Sequence, residues 1–280
     1  MLAHLRVLSD DSYGGRRIGS DGNKLAQNYL VSTLKAFNVL PFQGNYQHSF
    51  EQRKIFQTRR GTNVIGLIEG RKYKQQYIVL TAHFDHIGNK GSQVYNGADD
   101  NASGTAALLN FAEKISQAPL NYSVIFLFTD GEEANLSGAT AFVKNNDSLM
   151  KNVKLNINLD MIAGNHQTKT LRYISDGLEQ LLVPEHLVEL VHLQERFELP
   201  IKKGFKQSER GYGLNRKTKW ELASDHGVFY RLKIPFIYYG VGTHSNYHET
   251  TDTYQNVNLG FFVKATGAIF KQLLYIDKHI

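Results

Sequence analysis

The chain is 280 residues long, enough for one substantial core, and shows no Pro-rich or Gly/Ser-rich linker, internal repeat or low-complexity tract where a second domain would begin, so residues 1–280 read as one domain. It has no cysteine, which excludes a disulfide framework and a thiol nucleophile, and its formal net charge of +6 is interleaved with acidic residues, which argues against a nucleic-acid partner. The start Met1-Leu2-Ala3-His4-Leu5-Arg6 lacks a signal-peptide core, and no apolar run is expected to span a membrane.

In chain order, the first predicted element is an amphipathic helix over about Gly22 to Phe37, where Ala26, Leu30, Thr33, Leu34 and Phe37 share a face. Asn63 to Ile68 and the run Tyr77 to Ala82 read as neighbouring strands. The stretch Gly97 to Gly104 is a polar loop that feeds an apolar helix from about Ser103 to Ser116, with Asn101 or Ser103 as its N-cap. Tyr122 to Phe128 and Leu155 to Leu159 are further apolar, β-branched and aromatic runs of the kind buried in a largely parallel sheet. A strand at Leu171 to Ser175, a helix at about His186 to Phe197, a strand at Ile234 to Tyr239 and a helix over about Val257 to Ile276 complete the pattern. Strands alternating with helices predict an α/β architecture. One segment, Lys202 to Lys219, interrupts it with many Lys and Arg residues, Phe205, Tyr212 and several glycines, and reads either as the rim of a site or as a solvated basic loop.

Polar clusters follow the strands directly. They are His83-x-Asp85, Gly97-Ala98-Asp99-Asp100-Asn101-Ala102-Ser103-Gly104, Asp130-Gly131-Glu132-Glu133, Asn158-Leu159-Asp160, and His248 ahead of Asp252-Thr253. In an open α/β sheet, sites gather at the carboxyl ends of strands, so these clusters can converge on one crevice. Zinc accepts imidazole nitrogen and carboxylate oxygen. Two divalent ions about 3.5–4 Å apart need a bridging carboxylate between them. Two histidines and three carboxylates meet that need, and a further carboxylate kept off the metal can take a proton from water, which the adjacent pair Glu132-Glu133 provides. Singly, each motif has an ordinary reading as surface polarity or a turn. Their joint occurrence points to a hydrolytic two-metal site.

In this order the clusters resemble the di-zinc aminopeptidase family of the bacterial leucyl aminopeptidases, to which glutamate carboxypeptidase and glutaminyl cyclase are related. The resemblance runs from Gly15-Arg16-Arg17-Ile18-Gly19-Ser20 to His248-Glu249-Thr250-Thr251-Asp252-Thr253. It implies a three-layer fold of the zinc-dependent exopeptidase type, with a mostly parallel or mixed central sheet flanked by helices. It further implies two zinc ions, with cobalt or manganese as substitutes, and a peptide or aminoacyl substrate. Carried over, Asp99 would bridge the ions, His83 and Asp160 would complete one centre, and Glu133 and His248 the other. Glu132 would be the general base, and the Asp85 carboxylate would orient the His83 imidazole. Asp100 would support the site without binding metal, and a cis peptide is expected between Asp99 and Asp100.

Tyr247 matches a position where some relatives place a tyrosine against the reacting carbonyl oxygen, and it reads equally as a half-buried tyrosine. Asp225 reads as a carboxylate at the site's edge or at a helix N-terminus. His86, His244, His4, His48, His166, His186, His192 and His279 read as surface or rim residues. The function expected is an aminopeptidase, with a glutaminyl cyclase, a carboxypeptidase and a non-catalytic binding module as alternatives. A periplasmic or secreted location is expected, with the cytoplasm as the alternative.

Overall fold

The structure is a computed structural model and describes residues 1–54, 57–205 and 218–280. Its strands are β1 (Leu40–Pro41), β2 (Gln47–Lys54), β3 (Gln57–Ile68), β4 (Tyr73–His83), a small hairpin of β5 (Gly88–Lys90) and β6 (Gln93–Tyr95), then β7 (Tyr122–Thr129), β8 (Val153–Leu159), β9 (Leu171–Asp176), β10 (Ile201–Lys203) and β11 (Phe236–Gly240). Its α-helices are α1 (Leu2–Leu8), α2 (Asp21–Ala36), α3 (Gly104–Gln117), α4 (Ser137–Asn145), α5 (Asp147–Met150), α6 (Pro184–Glu195), α7 (His226–Arg231) and α8 (Leu259–His279).

All strands but β5 and β6 form one mixed sheet, in the order β1-β3-β7-β4-β8-β11-β9-β10, with β2 also paired to β3. Its central strands β7, β4, β8 and β11 are parallel, and β3 and β9 flank them antiparallel. Helices cover both faces of this centre, which is why every residue of β7 is buried and β4 is buried from Ile78 onward. Period-two alternation divides the strands between two cores. Ile78, Leu80, Val124, Phe126 and Phe128 pack under α1, α2, α3 and α8, while Val79, Ile125 and Leu127 face Phe142 and Phe229 of α4 and α7. The expected three-layer α/β architecture is thereby realised.

The C-terminal helix α8 is apolar and long enough, by length and composition, to cross a membrane, contrary to the expectation from the sequence. Here Phe261, Phe262, Ala265, Ile269, Leu273 and Ile276 pack that apolarity into the core. Most of the basic segment falls at residues 206–217, outside the described residues. Its described start pairs β10 with β9, and Phe205 stacks between Trp220 and Tyr238.

Candidate metal centre

Four adjacent parallel strands end at the same edge of the sheet, and each delivers a polar group there. His83 is the last residue of β4, Glu132 and Glu133 follow β7, Asp160 follows β8, and the turn-rich segment after β11 carries Tyr247 and His248. The fifth contribution comes from the turn that opens α3. Gly97, at φ 57°, starts this turn in the left-handed region, where a Cβ would lie 2.2 Å from Asp100 O. Gly104 allows α3 to approach β8, since a Cβ there would lie 2.3 Å from Leu159 O. Asn101 fastens the turn by donating to Leu159 O and accepting from the amides of Gly104 and Met161.

The turn decides which aspartate enters the site. Asp100, not Asp99, stands between the two histidines: its Oδ1 is 3.4 Å from His83 Nε2 and its Oδ2 is 3.2 Å from His248 Nε2. His83 Nε2 also lies 3.4 Å from Asp160 Oδ1, and His248 Nε2 lies 3.1 Å from Glu133 Oε1. The Asp99 carboxylate points the other way, accepting from the amide of Ala163 at 2.7 Å, from Ser103 Oγ at 3.2 Å and from His244 Nε2 at 2.8 Å. The place between the two histidines, expected for Asp99, is therefore taken by Asp100. The non-proline cis peptide likewise lies between Asp100 and Asn101.

Asp85 also differs from expectation. His83 Nδ1 donates to the main-chain carbonyl of Asp85 at 3.1 Å, and its carboxylate lies 3.8 Å away and accepts the amide of Glu132 instead. The carbonyl, which can only accept, fixes the proton on Nδ1 and leaves Nε2 facing two carboxylates. Bare nitrogen against carboxylate oxygen is repulsive, so a proton or a cation belongs between them. The nearby acids Glu132, Asp160 and Asp100 accordingly outweigh burial and hold the His83 imidazole well above its ordinary pKa.

His86 is no rim residue: it is 1% exposed, with Nδ1 3.1 Å from Glu133 Oε1 and 3.6 Å from Asp100 Oδ2. Neither does His244 lie free at the rim, since it joins the loop after β11 to Asp99. Its Nδ1 accepts the Asn246 amide, so Nε2 carries the proton it gives to Asp99. Asp252 reinforces the same joint by accepting the amides of Asp99 and Asp100. Asp225 is wholly buried and accepts from Thr129 Oγ1; burial pushes its carboxyl up to about 6. Burial, with Asp160 and Glu133 nearby, drives the Glu132 carboxyl well above its usual range, although His83 opposes this. Tyr247 stacks on His248 with ring centroids 3.9 Å apart, and burial beside the carboxylates keeps its phenol protonated.

Asp100 Oδ2, Glu133 Oε1, Asp160 Oδ1 and His86 Nδ1 are buried without hydrogen-bond partners among the described residues. Buried polar atoms are almost always paired. Four unpaired donor atoms of the types that bind zinc, converging from different segments, fit divalent cations. His83 with Asp100 and Asp160, and His86 with Asp100 and Glu133, each bring three such atoms within 4.8 Å of one another. Beside them opens a pocket of about 320 Å³, floored by Asp100, Glu132, Glu133 and Asp160 and walled by Trp220 and Tyr238. A larger hollow of about 610 Å³ between α2 and the β2–β3 ribbon is lined, among the described residues, by no histidine or carboxylate and lies apart from this chemistry.

A family model described as peptidase family M28 matches residues 63–272, a stretch that contains every one of these groups. The chain belongs to peptidase family M28. Leucine aminopeptidase 2 of Trichophyton rubrum is 26% identical over 237 residues, covering 77% of this chain and 44% of that protein. The chain spans less than half the length of the curated relatives it matches first. Among solved structures, a Zn-dependent exopeptidase from Parabacteroides distasonis superposes with a TM-score of 0.71 at 20% identity, over 98% of this chain and 96% of that one. Glutaminyl cyclase from Macrostomum lignano superposes with a TM-score of 0.74 at 20% identity, over 99% and 89%. At such identities the superpositions establish a shared fold.

Proposed function

We propose that this M28 chain is a zinc-dependent aminopeptidase that hydrolyses the first peptide bond of its substrate at a two-metal site. One observation carries the reading: the Asp100 carboxylate faces His83 and Asp160 with one oxygen and His248 and Glu133 with the other. His83, Asp100 and Asp160 would hold one ion, and Asp100, Glu133 and His248 the other. Bound there, the ions would polarise the scissile carbonyl and make an attacking water more acidic.

The chain's own groups supply the rest. Glu132 lies beside the ligands yet has no place among them, which suits a base that takes the water proton and later hands it to the departing amine. Tyr247 offers a protonated hydroxyl at the pocket, placed to donate to the carbonyl oxygen as negative charge develops. The acidic floor attracts a free α-ammonium group, which an internal peptide bond does not present. The walls of Trp220, Tyr238 and Met161 then receive an uncharged side chain.

A panel of aminoacyl-4-nitroanilides tests the reading. Activity abolished by a chelator and restored by zinc, with no turnover of amino-blocked peptides, is the expected result. Turnover insensitive to chelation, or ammonia release from amino-terminal glutamine peptides without peptide-bond cleavage, would overturn it.

A further inference from the structure

We propose that His86 binds metal through Nδ1 as an additional ligand of the centre formed by Asp100, Glu133 and His248. The inference rests on the two-metal reading above and divides the labour between its two ions.

The imidazole of His86 is held in place by packing. Its ring lies against Gly97, where a Cβ would fall 2.5 Å from the ring's Cγ. Neither ring nitrogen has a hydrogen-bond partner among the described residues. Burying an imidazole with both nitrogens unpaired is costly, so a native structure that does so signals a missing partner. Nδ1 lies 3.1 Å from Glu133 Oε1, but the ring N–H direction does not meet that oxygen, so the two atoms converge without bonding. Glu133 Oε1 and Asp100 Oδ2 are themselves buried and have no hydrogen-bond partner among the described residues.

The spacings are those of ligands around one ion. Zinc bonds nitrogen and oxygen at about 2.0–2.2 Å, which in a tetrahedron separates the ligand atoms by roughly 3.4 Å. From Glu133 Oε1 to His86 Nδ1 and to His248 Nε2 the distance is 3.1 Å, and from Asp100 Oδ2 it is 3.6 and 3.2 Å. That set supplies four protein donors, enough to close a tetrahedral site. The other side, His83, Asp100 and Asp160, supplies three. With four protein donors against three, the ion beside His86 is the more tightly held of the two.

Zinc titration of the metal-free protein, followed by calorimetry, tests this directly, with visible absorption of the cobalt-loaded protein as a second readout. The wild type is expected to take up two equivalents of unequal affinity. In His86→Phe and His86→Asn, the tighter class should weaken by about 100-fold or more, at least the loss seen when groups supporting a ligand are removed. Cobalt bound at the tight class should lose its four-coordinate absorption. Asp160→Asn should weaken the other class alone. Both His86 variants retaining two wild-type affinities and the wild-type cobalt spectrum would overturn the role of His86 while leaving the two-metal reading intact. A wild type that takes up no zinc would overturn both. Circular dichroism of the metal-free variants identifies any that fail to fold, and the two replacements differ enough in size and polarity to provide independent tests.

Discussion

Arg16 gives the sharpest test of how the site is held together. It is fully buried, and among the described residues its guanidinium donates to main-chain carbonyls alone: to Phe84 at 2.6 Å, to Asn96 at 2.6 Å, to Gly97 at 2.9 Å and to Leu8. Phe84 follows His83, and Gly97 opens the turn that carries Asp100, so one side chain ties two ligand-bearing segments to the amino-terminal helix. The local chain bends sharply to deliver it. Gly14, Gly15 and Arg16 all have positive φ, and a Cβ at Gly15 would lie 2.2 Å from Tyr95 O. A left-handed conformation at a non-glycine residue costs about 1–2 kcal/mol, which the bonds of the side chain must exceed.

Arg16→Met keeps apolar bulk and removes the fork. It leaves the carbonyls of Leu8, Phe84 and Asn96 dry, at about 1–3 kcal/mol each, while Gly97 O keeps the Ala102 amide, and it relieves the cost of burying a charge, which is several kcal/mol. Subtracting the second from the first leaves a net loss of about 2 kcal/mol. On the usual scale for a chain of this size, that is a fall in Tm of roughly 4–8 °C. Burial lowers the guanidinium only to about 10, so it is charged at neutral pH. Arg16→Lys separates charge from geometry. If the charge matters through Asp252, Asp85 and Asp100, lysine recovers most of the loss. If the planar fork matters, lysine is nearly as damaging as methionine, and this is the expected outcome. Urea unfolding of the metal-free protein measures both, provided the m-value is unchanged. An Arg16→Met midpoint corresponding to a loss under about 1 kcal/mol would refute the reasoning.

Three further outcomes follow from the site. Glu132→Gln should keep zinc uptake while turnover falls by roughly 10²–10⁴-fold, checked by metal content and nitroanilide kinetics. Asp100→Asn should lose zinc uptake, whereas Asp99→Asn should retain it and instead speed amide hydrogen exchange in residues 241–254, because it weakens the joint with His244; the reverse pattern restores Asp99 as the bridge. Burial pushes Asp130 up to about 7, against donors from Thr62 and Asn23. A carboxyl raised in the folded state favours folding while protonated and loses that advantage as pH rises from about 4 to about 7. The metal-free protein should therefore lose stability across this window, and Asp130→Asn should flatten the fall; equal pH slopes in urea melts of the two proteins would contradict it.

The sheet was legible because strands buried on both faces must be continuous apolar runs, and each such run ended in a polar cluster that a parallel sheet gathers at one edge. What type and spacing could not resolve was direction. Asp99 and Asp100 are chemically identical neighbours, and the turn after Gly97 alone sends one carboxylate to the histidines and the other to Ala163, Ser103 and His244. Asp85 shows the same limit, since whether an imidazole meets a residue's carboxylate or its carbonyl depends on the path of the backbone. His86 carried a signal that spacing within His-x-Asp obscured. It follows Phe84, which is fully buried, so the chain leaving β4 is still inside the molecule three residues past His83.

The paired aspartates make sense as a mechanical unit. His248 sits on an irregular segment, at φ 59°, with its side chain 37% exposed, and no strand or helix fixes it. Asp100 sits on the turn opposite. Two devices join these pieces: Asp252, from the far end of the His248 segment, accepts the amides of both aspartates, and His244, from its near end, donates to the Asp99 carboxylate. The segment is thus pinned on either side of His248 to the residues flanking the bridge. Any movement that displaced His248 from Asp100 would have to break bonds at both ends. A chain carrying only the bridging carboxylate would keep the Asp252 anchor but lose the one to His244. With Asp99 beside it, the loop that supplies one ligand is fastened to the turn that supplies another, so the distance between them is set before any ion arrives.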